Sequence, residues 1–261
     1  NKRYIDIMDN LKKEGVIILD FGSQYTQLIA RRIRENYVFS EVLSCDTSLE
    51  KIEQKNPKAI ILSGGPSSVF SNDAPKFDKS ILDIKIPILG ICYGLHLLVH
   101  HSGGKVDSTG KGEYGFAEVA FENDKDISKN MSRKSNVWMS HMDQVTKVPA
   151  DWKIIAKSSN GVIAGLVNKN QTRIATQFHP EVSHTEEGNI LLNNFLFNIA
   201  KCEKNWTPNN LIDEQVRNIK ELCNNEKIIV GVSGGVDSTV MACLINKAVG
   251  HNCFAVLIDH G

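Results

Sequence analysis

The sequence predicts an α/β protein: a mostly parallel β-sheet flanked by helices, followed by the beginning of a second α/β nucleotide-binding domain. Short apolar runs alternate with stretches of helical periodicity, and several of these runs end in loops rich in glycine or serine. Such alternation favours parallel strands joined by helices, and it places the loops beyond the carboxyl ends of the strands. The same strand, loop and helix pattern returns near residue 230 and predicts the second domain.

The first domain opens with three predicted strands. Residues 16–20 form an apolar strand, and residues 25–35 show the periodicity of a helix. Residues 38–43 and 59–62 are the next two strands. A loop rich in glycine and serine follows the third strand at residues 63–68, where glycine and proline exclude both helix and strand.

The middle of the chain combines a buried strand with a change of pattern. Residues 86–98 predict a buried strand, a sharp turn and an apolar helix. We interpret the charged residues 122–135 as a surface loop, and residues 190–199 as an amphipathic helix that closes the domain. Alternating segments between these points predict strands, which we expect to be antiparallel; they are residues 112–121, 137–141, 161–167 and 173–178.

Three regions define the predicted domain organisation. Residues 1–202 form the first domain, residues 203–210 a linker, and residues 211–261 the beginning of the second domain. The second domain is predicted as a helix, a strand, a serine- and glycine-rich loop, a second helix and a second strand at residues 254–258. A β-α-β unit of this kind buries its sheet only beside further elements, so we expect the sequence to belong to a longer protein.

Composition excludes several classes of function. The net charge is zero, which gives no electrostatic reason to expect nucleic acid or an acidic membrane as a partner. Glycine and proline interrupt the longest apolar stretch, so it is too broken to span a bilayer. Six scattered cysteines form no C-x-x-C pair, which predicts reduced thiols and a cytoplasmic protein. The spacing of the histidines does not predict a metal site.

Cys92 stands between Gly90 and Gly94, at the turn after the central strand. The G-x-C-x-G pattern matches a nucleophile elbow with cysteine in place of serine. The glycines remove side chains that the tight turn could not hold, and the following helix directs its positive end at the sulfur and so favours the nucleophilic thiolate. Taken alone, the pattern also fits a small core cysteine with glycine spacers.

His179 and Glu181 supply the partners that a nucleophilic cysteine needs. They are two residues apart in a segment that Pro180 keeps extended, so their side chains point the same way. A carboxylate beside an imidazole fixes its tautomer and stabilises the imidazolium. The combination with an elbow cysteine favours a catalytic triad of Cys92, His179 and Glu181 over an isolated His-x-Glu.

The second predicted domain carries a candidate phosphate-binding loop. It lies between a strand and a helix, where backbone amides and a serine hydroxyl can bind phosphate oxygens. It lacks the lysine of the P-loop of kinases and GTPases, and an ordinary tight turn is the alternative interpretation. The loop residues are Ser233, Gly234, Gly235, Val236, Asp237 and Ser238.

Several motifs together resemble a known family. Residues 90–94 (GICYG) and 177–181 (QFHPE) resemble class I glutamine amidotransferases. The chain is more specifically similar to glutamine-hydrolysing GMP synthetases, which combine this domain with an ATP pyrophosphatase domain. The stretches that carry this similarity are residues 20–35 (DFGSQYTQLIARRIRE), 62–66 (LSGGP), 137–145 (VWMSHMDQV), 179–185 (HPEVSHT) and 230–238 (VGVSGGVDS).

The resemblance implies a role for each candidate residue. Cys92 would attack the glutamine amide, His179 would act as base and acid, and Glu181 would orient His179. Backbone amides of Gly65 and Tyr93 would form the oxyanion hole. Glutamine would be bound by Gly64, Gly65, His96 and Gly115. Residues 233–238 would bind the pyrophosphate of ATP, and Asp237 would help to place Mg²⁺.

The resemblance also implies substrates and partners. Ammonia from glutamine would aminate xanthosine monophosphate (XMP) that ATP has adenylylated, giving GMP, AMP and pyrophosphate. ATP and Mg²⁺ are thus the implied cofactors, and a homodimer is expected to form through a region absent from this chain. Residues 1–261 alone are not expected to make GMP, because the XMP site would lie beyond Gly261.

Two positions depart from the family pattern, and two alternatives stay open. His96 stands where such enzymes usually have a glutamine that contacts the substrate, and Met142 stands where glycine is usual after Ser-His. The first alternative is an amidotransferase that feeds another ATP pyrophosphatase, such as an NAD or asparagine-type synthetase. The second is a non-catalytic glutamine sensor, which would release no glutamate.

Overall fold

The structure is a computed structural model that describes residues 14–71, 74–122, 125–224 and 226–257. It divides into two units. The first unit ends at Lys204, and the chain enters the second unit at Asn205, so this boundary lies within the predicted linker. Ile258 of the last predicted strand lies outside the described residues.

A sheet of nine strands organises the first unit. Its order is β2-β1-β3-β4-β9-β8-β7-β5-β6. The neighbouring strands β2, β1, β3, β4 and β9 run parallel. The pairs β9–β8, β8–β7, β7–β5 and β5–β6 are antiparallel. In chain order the strands are β1 (Val16–Asp20), β2 (Ser40–Ser44), β3 (Ala59–Leu62), β4 (Ile88–Ile91), β5 (Lys105–Phe121), β6 (Lys134–Lys147), β7 (Trp152–Ser158), β8 (Ile163–Asn168) and β9 (Arg173–Thr176).

The parallel part of the sheet is buried on both faces, which explains its continuous apolar strands. Ile18 and Ile61 belong to the apolar cluster on one face, whereas Leu19 and Leu62 belong to the cluster on the other. Helices cover these faces: α1 (Thr26–Glu35), α2 (Leu49–Gln54), α3 (Tyr93–His101) and α4 (Gly188–Asn193). The predicted α/β fold with a largely parallel sheet is confirmed, with an antiparallel extension on one side.

Two segments differ from the sequence prediction. The interpretation of residues 122–135 as a surface loop is wrong in part, because Ile127 and Met131 are buried. The single helix predicted for residues 190–199 is instead α4 followed by the π-helix Asn194–Ile199. The two segments are in contact: the buried Asn194 amide donates to the carbonyls of Ile127 and Lys129, at 2.9 and 2.8 Å.

The strands predicted at residues 112–121, 137–141 and 161–167 correspond to the antiparallel strands β5, β6 and β8. The strand predicted at residues 173–178 is β9, which is parallel to β4 and antiparallel to β8, and β7 was not predicted. Strand β7 pairs with β5 and β8 and thereby joins the outer hairpin of β5 and β6 to the rest of the sheet. Register shifts interrupt its pairing with β8 after Ile154 and Ala156. This irregularity explains why a simple two-residue alternation does not reveal the strand.

Among its described residues the second unit contains α5 (Pro208–Cys223), β10 (Ile228–Val232), α6 (Val236–Val249) and β11 (Cys253–Leu257). The two strands are parallel neighbours, as the strand, helix and strand pattern predicts. Helix α5 begins inside the predicted linker, because the Thr207 side chain caps it by accepting from the Asn210 amide at 3.2 Å. Helix α6 begins at Val236, so the last three residues of the predicted loop, residues 236–238, belong to the helix.

No helix among the described residues is both long enough and apolar enough to cross a lipid bilayer.

Replacing Gly94 with alanine is expected to lower the free energy of unfolding by about 3 kcal/mol. A glycine-to-alanine change in an open helix is usually stabilising. Here, however, the new Cβ would lie 2.5 Å from the carbonyl oxygen of Leu62 in β3. Chemical denaturation measures the change.

Gly161→Ala is the comparison, because its Cβ would meet no atom within 4 Å at a φ of +83°. Only backbone strain of about 1–2 kcal/mol is expected there. Stabilisation by Gly94→Ala would contradict this prediction.

Candidate active site

The candidate site lies where β3, β4 and β9 end. These strands are parallel neighbours, so their carboxyl ends meet at one edge of the sheet. Gly64 and Gly65 follow β3, Cys92 follows β4, and His179 lies just beyond β9. The fold therefore brings together residues that are far apart in the sequence.

Cys92 lies in a strained turn. Its backbone φ is 51° and ψ is −99°, a conformation that side-chain-bearing residues rarely adopt. The Cys92 amide donates to the Thr176 carbonyl at 2.7 Å and so fixes the turn to β9. A Cβ on Gly90 would lie 2.5 Å from the carbonyl group of Gly94, so the turn requires glycine at this position.

His179 and Glu181 form a buried pair. The His179 Nδ1 atom lies 2.8 Å from Glu181 Oε1. The neighbouring backbone is fixed on both sides: Arg32 Nε donates to the Glu181 carbonyl at 3.0 Å, and Thr185 Oγ1 donates to the His179 carbonyl at 2.6 Å. The Tyr25 ring meets the imidazole edge to face, with 5.1 Å between centroids. The imidazole is thus held in one orientation.

The pKa of His179 is set by burial and by its interactions with Glu181 and Cys92, which act in opposite directions. Burial by itself lowers the pKa, but the charge of Glu181 and hydrogen bonds with Cys92 and Glu181 outweigh it. The net effect raises the pKa of His179 to about 10. His179 is therefore an imidazolium at neutral pH beside the cysteine sulfur.

Two polar groups form hydrogen bonds with the sulfur of Cys92, besides the nearby helix end. The thiol donates to the Ser140 carbonyl at 3.6 Å, and the Gln177 side-chain amide donates to Sγ at 3.8 Å. Cys92 also contributes to the raised pKa of His179. A Cβ on Gly64 would lie 3.1 Å from His179 Cε1 and 3.7 Å from Cys92 Cβ, so this glycine lies against both side chains.

A cavity of about 580 Å³ opens over the sulfur. Of the residues predicted to bind glutamine or its oxyanion, Gly65, Tyr93 and His96 line it. Gly64 lies against Cys92 and His179. Gly115 lies on β5 beside Tyr114, which does line the cavity. Tyr93 is the first residue of α3, so its amide has no acceptor within the helix. Other lining residues are Gly22, Ser23, Gln24, Tyr25, Pro66, Ser67, Ser68, Ser140, His141, Met142 and Asp143.

A second buried pair flanks the cavity. His141 Nε2 lies 3.5 Å from Glu113 Oε2, and His141 Nδ1 lies 3.1 Å from the Asp143 carbonyl. The other carboxylate oxygen of Glu113 accepts from Ser158 Oγ and Asn160 Nδ2, each at 2.9 Å. Burial lowers the pKa of His141, although Glu113 partly opposes this effect.

Sequence reasoning assigned no role to Gln177, Ser140, His141 or Glu113. A signal for Gln177 was present, because it precedes His179 by two residues in an extended segment and so shares its side of the chain. Ser140 contributes a backbone carbonyl, which any residue carries, so its side chain gave no signal. The pairing of His141 with Glu113 follows from the β5–β6 register, in which the two are direct neighbours.

The candidate phosphate loop lies in the second unit, between β10 and α6. Ser238 Oγ accepts from the Ser233 amide at 3.2 Å and donates to the Gly235 carbonyl at 3.1 Å, which closes the loop on itself. Gly234 has a φ of +79°. Val236, Asp237 and Ser238 form the first turn of α6 instead of extending the loop. Amides at this helix start are available to an anion.

Comparisons with known proteins agree with this geometry. Residues 17–199 match the family described as glutamine amidotransferase class-I, and residues 209–260 match the family described as NAD synthase. The chain belongs to the class I glutamine amidotransferase family. Its sheet and helices are those of this family, followed by the start of a second domain.

Similar relatives are named GMP synthase [glutamine-hydrolyzing]. The protein of this name from Brachyspira hyodysenteriae is 48% identical over 98% of this chain and 49% of its own length. That from Fusobacterium nucleatum is 48% identical over 96% of this chain and 49% of its own length. The chain thus spans about half the length of these curated relatives.

A solved structure shares the amidotransferase fold. It is that of a candidate GMP synthase subunit from Thermoplasma acidophilum, with 28% identity and a TM-score of 0.62. The match covers 70% of this chain and 92% of that one, as expected if the similarity is confined to the first unit.

Replacing Glu181 with glutamine is expected to lower the free energy of unfolding by about 3 kcal/mol near pH 6. Because its folded pKa is raised, His179 contributes stability that is complete below its ordinary pKa of 6.5 and is lost as the pH rises through about 10. The variant lacks the carboxylate that raises this pKa, so the difference from the parent protein should shrink between pH 6 and pH 10. Denaturant unfolding at both pH values measures it.

Glu187→Gln is the matched control. The Glu187 carboxylate accepts from the Ser132 amide and hydroxyl and pairs with no histidine among its described contacts. Its effect on unfolding should be equal at the two pH values. A Glu181→Gln effect that is also independent of pH would contradict the assignment of His179 as a raised-pKa imidazolium.

Proposed function

We propose that the first unit hydrolyses glutamine to glutamate and ammonia, with Cys92 as nucleophile, His179 as acid and base, and Glu181 as the residue that orients His179. The observation that supports this proposal most directly is the buried His179–Glu181 pair, at 2.8 Å, beside a cysteine held at positive φ. Membership of the class I amidotransferase family agrees with it.

The first half-reaction forms a thioester. The Cys92 thiolate attacks the side-chain carbonyl carbon of glutamine, and the carbonyl π electrons move onto oxygen. When the tetrahedral intermediate collapses, the carbon–nitrogen bond breaks and the nitrogen takes a proton from the His179 imidazolium, so that neutral ammonia leaves. Glu181 stabilises the positive imidazolium before this transfer and fixes which ring nitrogen faces the substrate.

The second half-reaction restores the enzyme. Water attacks the thioester carbonyl while His179, now neutral, accepts its proton. The carbon–sulfur bond then breaks, which releases glutamate and returns the thiolate and the imidazolium. In both halves negative charge develops on the carbonyl oxygen. We assign its stabilisation to the amides of Gly65 and Tyr93, which line the cavity and are worth about 3 kcal/mol per donor in comparable sites.

We infer that the second unit binds ATP through residues 233–238. The support is the loop closed by Ser233 and Ser238, with Gly234 at positive φ and a helix start behind it. Asp237 lies in the first turn of that helix. No cluster of three or more metal-binding side chains occurs among the described residues. One carboxylate fits Mg²⁺, which binds few protein ligands when substrate phosphates complete its shell. Bound there, Mg²⁺ would neutralise phosphate charge.

We propose that the acceptor of ammonia is XMP activated by ATP, and that the complete protein makes GMP as a ligase. This chain matches about half the length of relatives named GMP synthase [glutamine-hydrolyzing], and their names support this assignment. Six free cysteines suit the reducing cytoplasm, which is the proposed location. The homodimer implied by the family resemblance stays a prediction.

A different synthetase partner is the second candidate, because residues 209–260 match the family described as NAD synthase. The two candidates differ in the acceptor alone. Testing XMP against nicotinic acid adenine dinucleotide and aspartate as acceptors separates them.

Cys92→Ala is expected to lower both the glutamine-dependent GMP formation and the glutamate release of the complete protein at least about 10³-fold, because the nucleophile is lost. GMP formation from added ammonium, ATP and XMP should persist, since that reaction bypasses the first unit. Glutamate release with and without ATP and XMP, together with GMP formation, measures these effects.

Two controls separate the sites. Cys45→Ala removes a half-buried cysteine of the same unit and should leave both activities unchanged. Asp237→Asn should reduce GMP formation from glutamine and from ammonium alike. Glutamate release that survives Cys92→Ala would refute the nucleophile assignment, and absence of release from the parent protein would favour a glutamine sensor.

A further inference from the structure

A chain of two buried hydrogen bonds ends on the sulfur of Cys92. His96 Nε2 lies 3.0 Å from Gln177 Oε1, and Gln177 Nε2 lies 3.8 Å from Cys92 Sγ. His96 is 4% exposed and Gln177 is 0% exposed, so both side chains are largely shielded from bulk water. Neither side chain takes part in the acyl-transfer steps described above.

His96 determines which end of the Gln177 amide faces the sulfur. A carboxamide has a donor end and an acceptor end, and rotating it by half a turn exchanges them. Burial lowers the pKa of His96 to about 4, so the ring is neutral at pH 7 and carries one proton. The amide oxygen Oε1 lies at Nε2, so we assign the proton to Nε2, where the ring donates to Oε1 and the NH₂ group faces Cys92. A proton on Nδ1 instead would reverse the amide.

The orientation of the amide matters most when the sulfur loses its proton. The thiol donates to the Ser140 carbonyl at 3.6 Å, but a thiolate has no proton to donate, and that carbonyl then opposes its charge. The Gln177 NH₂ group offers the thiolate a hydrogen bond in its place. The opposite orientation would present a second carbonyl oxygen to the negative sulfur.

We propose that Gln177 stabilises the Cys92 thiolate directly and that His96 is a positioning residue that holds the Gln177 amide in the required orientation. The inference rests on the proposed role of Cys92 as nucleophile. It gives His96, which departs from the family pattern, a function directed at the sulfur, whereas the sequence prediction directed it at glutamine.

Other ionisable groups around the sulfur must be kept constant in a test. His179 with Glu181 approaches from the segment after β9, and His141 with Glu113 from the β5–β6 hairpin. Asp143 and Tyr25 also line the cavity. None of these residues is changed in the variants below.

The experiment measures the pH dependence of Cys92 alkylation by iodoacetamide in the complete protein, with the modified peptide quantified by mass spectrometry. Gln177→Met keeps the approximate volume and removes the donor. It should raise the apparent pKa of alkylation by about 1 unit, which means an approximately tenfold smaller thiolate fraction below that pKa. His96→Phe should shift it in the same direction by a smaller amount, because the amide is then free to turn.

His96→Gln is the conservative variant that separates positioning from packing. Its carboxamide can donate to Gln177 Oε1, so the apparent pKa should return towards that of the parent protein. Gln177→Glu is a nearly isosteric second variant for the case in which Gln177→Met does not fold. Its carboxylate should raise the apparent pKa further than the loss of the donor does.

Each outcome decides one part of the inference. An unchanged alkylation profile in Gln177→Met or Gln177→Glu overturns the role of Gln177. A His96→Gln profile as strongly shifted as that of His96→Phe overturns the positioning role. Glutamate release by the parent protein is measured separately, so the proposed glutaminase can fail while the shifts in alkylation remain, and the shifts can fail while glutaminase activity is present.

Discussion

Backbone pairing between β4 and β9 holds the candidate site together. The register places Gly90 beside Ala175 and Ile91 beside Thr176, and the Cys92 amide continues it by donating to the Thr176 carbonyl. Since side chains alternate between the faces of a sheet, a slip of one residue would reverse the side of the strand on which each group after β9 lies. The meeting of sulfur and imidazole thus depends on strand register before it depends on any side-chain interaction.

Two buried histidines near this register show how neighbours determine charge. Burial is the largest influence on both, and in each it favours the neutral ring. His96 faces the uncharged Gln177, and its pKa falls to about 4. His179 faces the carboxylate of Glu181, and its pKa rises to about 10. Near the same sulfur, the neutral His96 can therefore act as a hydrogen-bond donor to Gln177 while the charged His179 acts as an acid.

The elements that sequence predicted well are those whose signal is local. The apolar runs of β1, β3 and β4, the glycines around Cys92 and the spacing of His179 and Glu181 each carry their own physical reason. The burial of Ile127 does not, because Ile127 packs in an apolar cluster with residues far along the chain, and its carbonyl accepts from Asn194. The role inferred here for Gln177 likewise depends on a contact with His96 that only the fold creates. Met142 lines the cavity and is 49% exposed, which places that departure from the family pattern at the cavity wall.

The proposed reaction needs an intermediate kept from water. Ammonia is a nucleophile only while it is neutral, and bulk water at neutral pH protonates most of it. A hydrolase that releases ammonia usefully must therefore be joined to the site that consumes it. The chain follows its amidotransferase fold with a strand, a closed serine-rich loop and a helix start, which is the geometry that binds phosphate. The proposed ATP-binding unit, next in sequence to the candidate glutaminase, is the arrangement that the proposed chemistry requires.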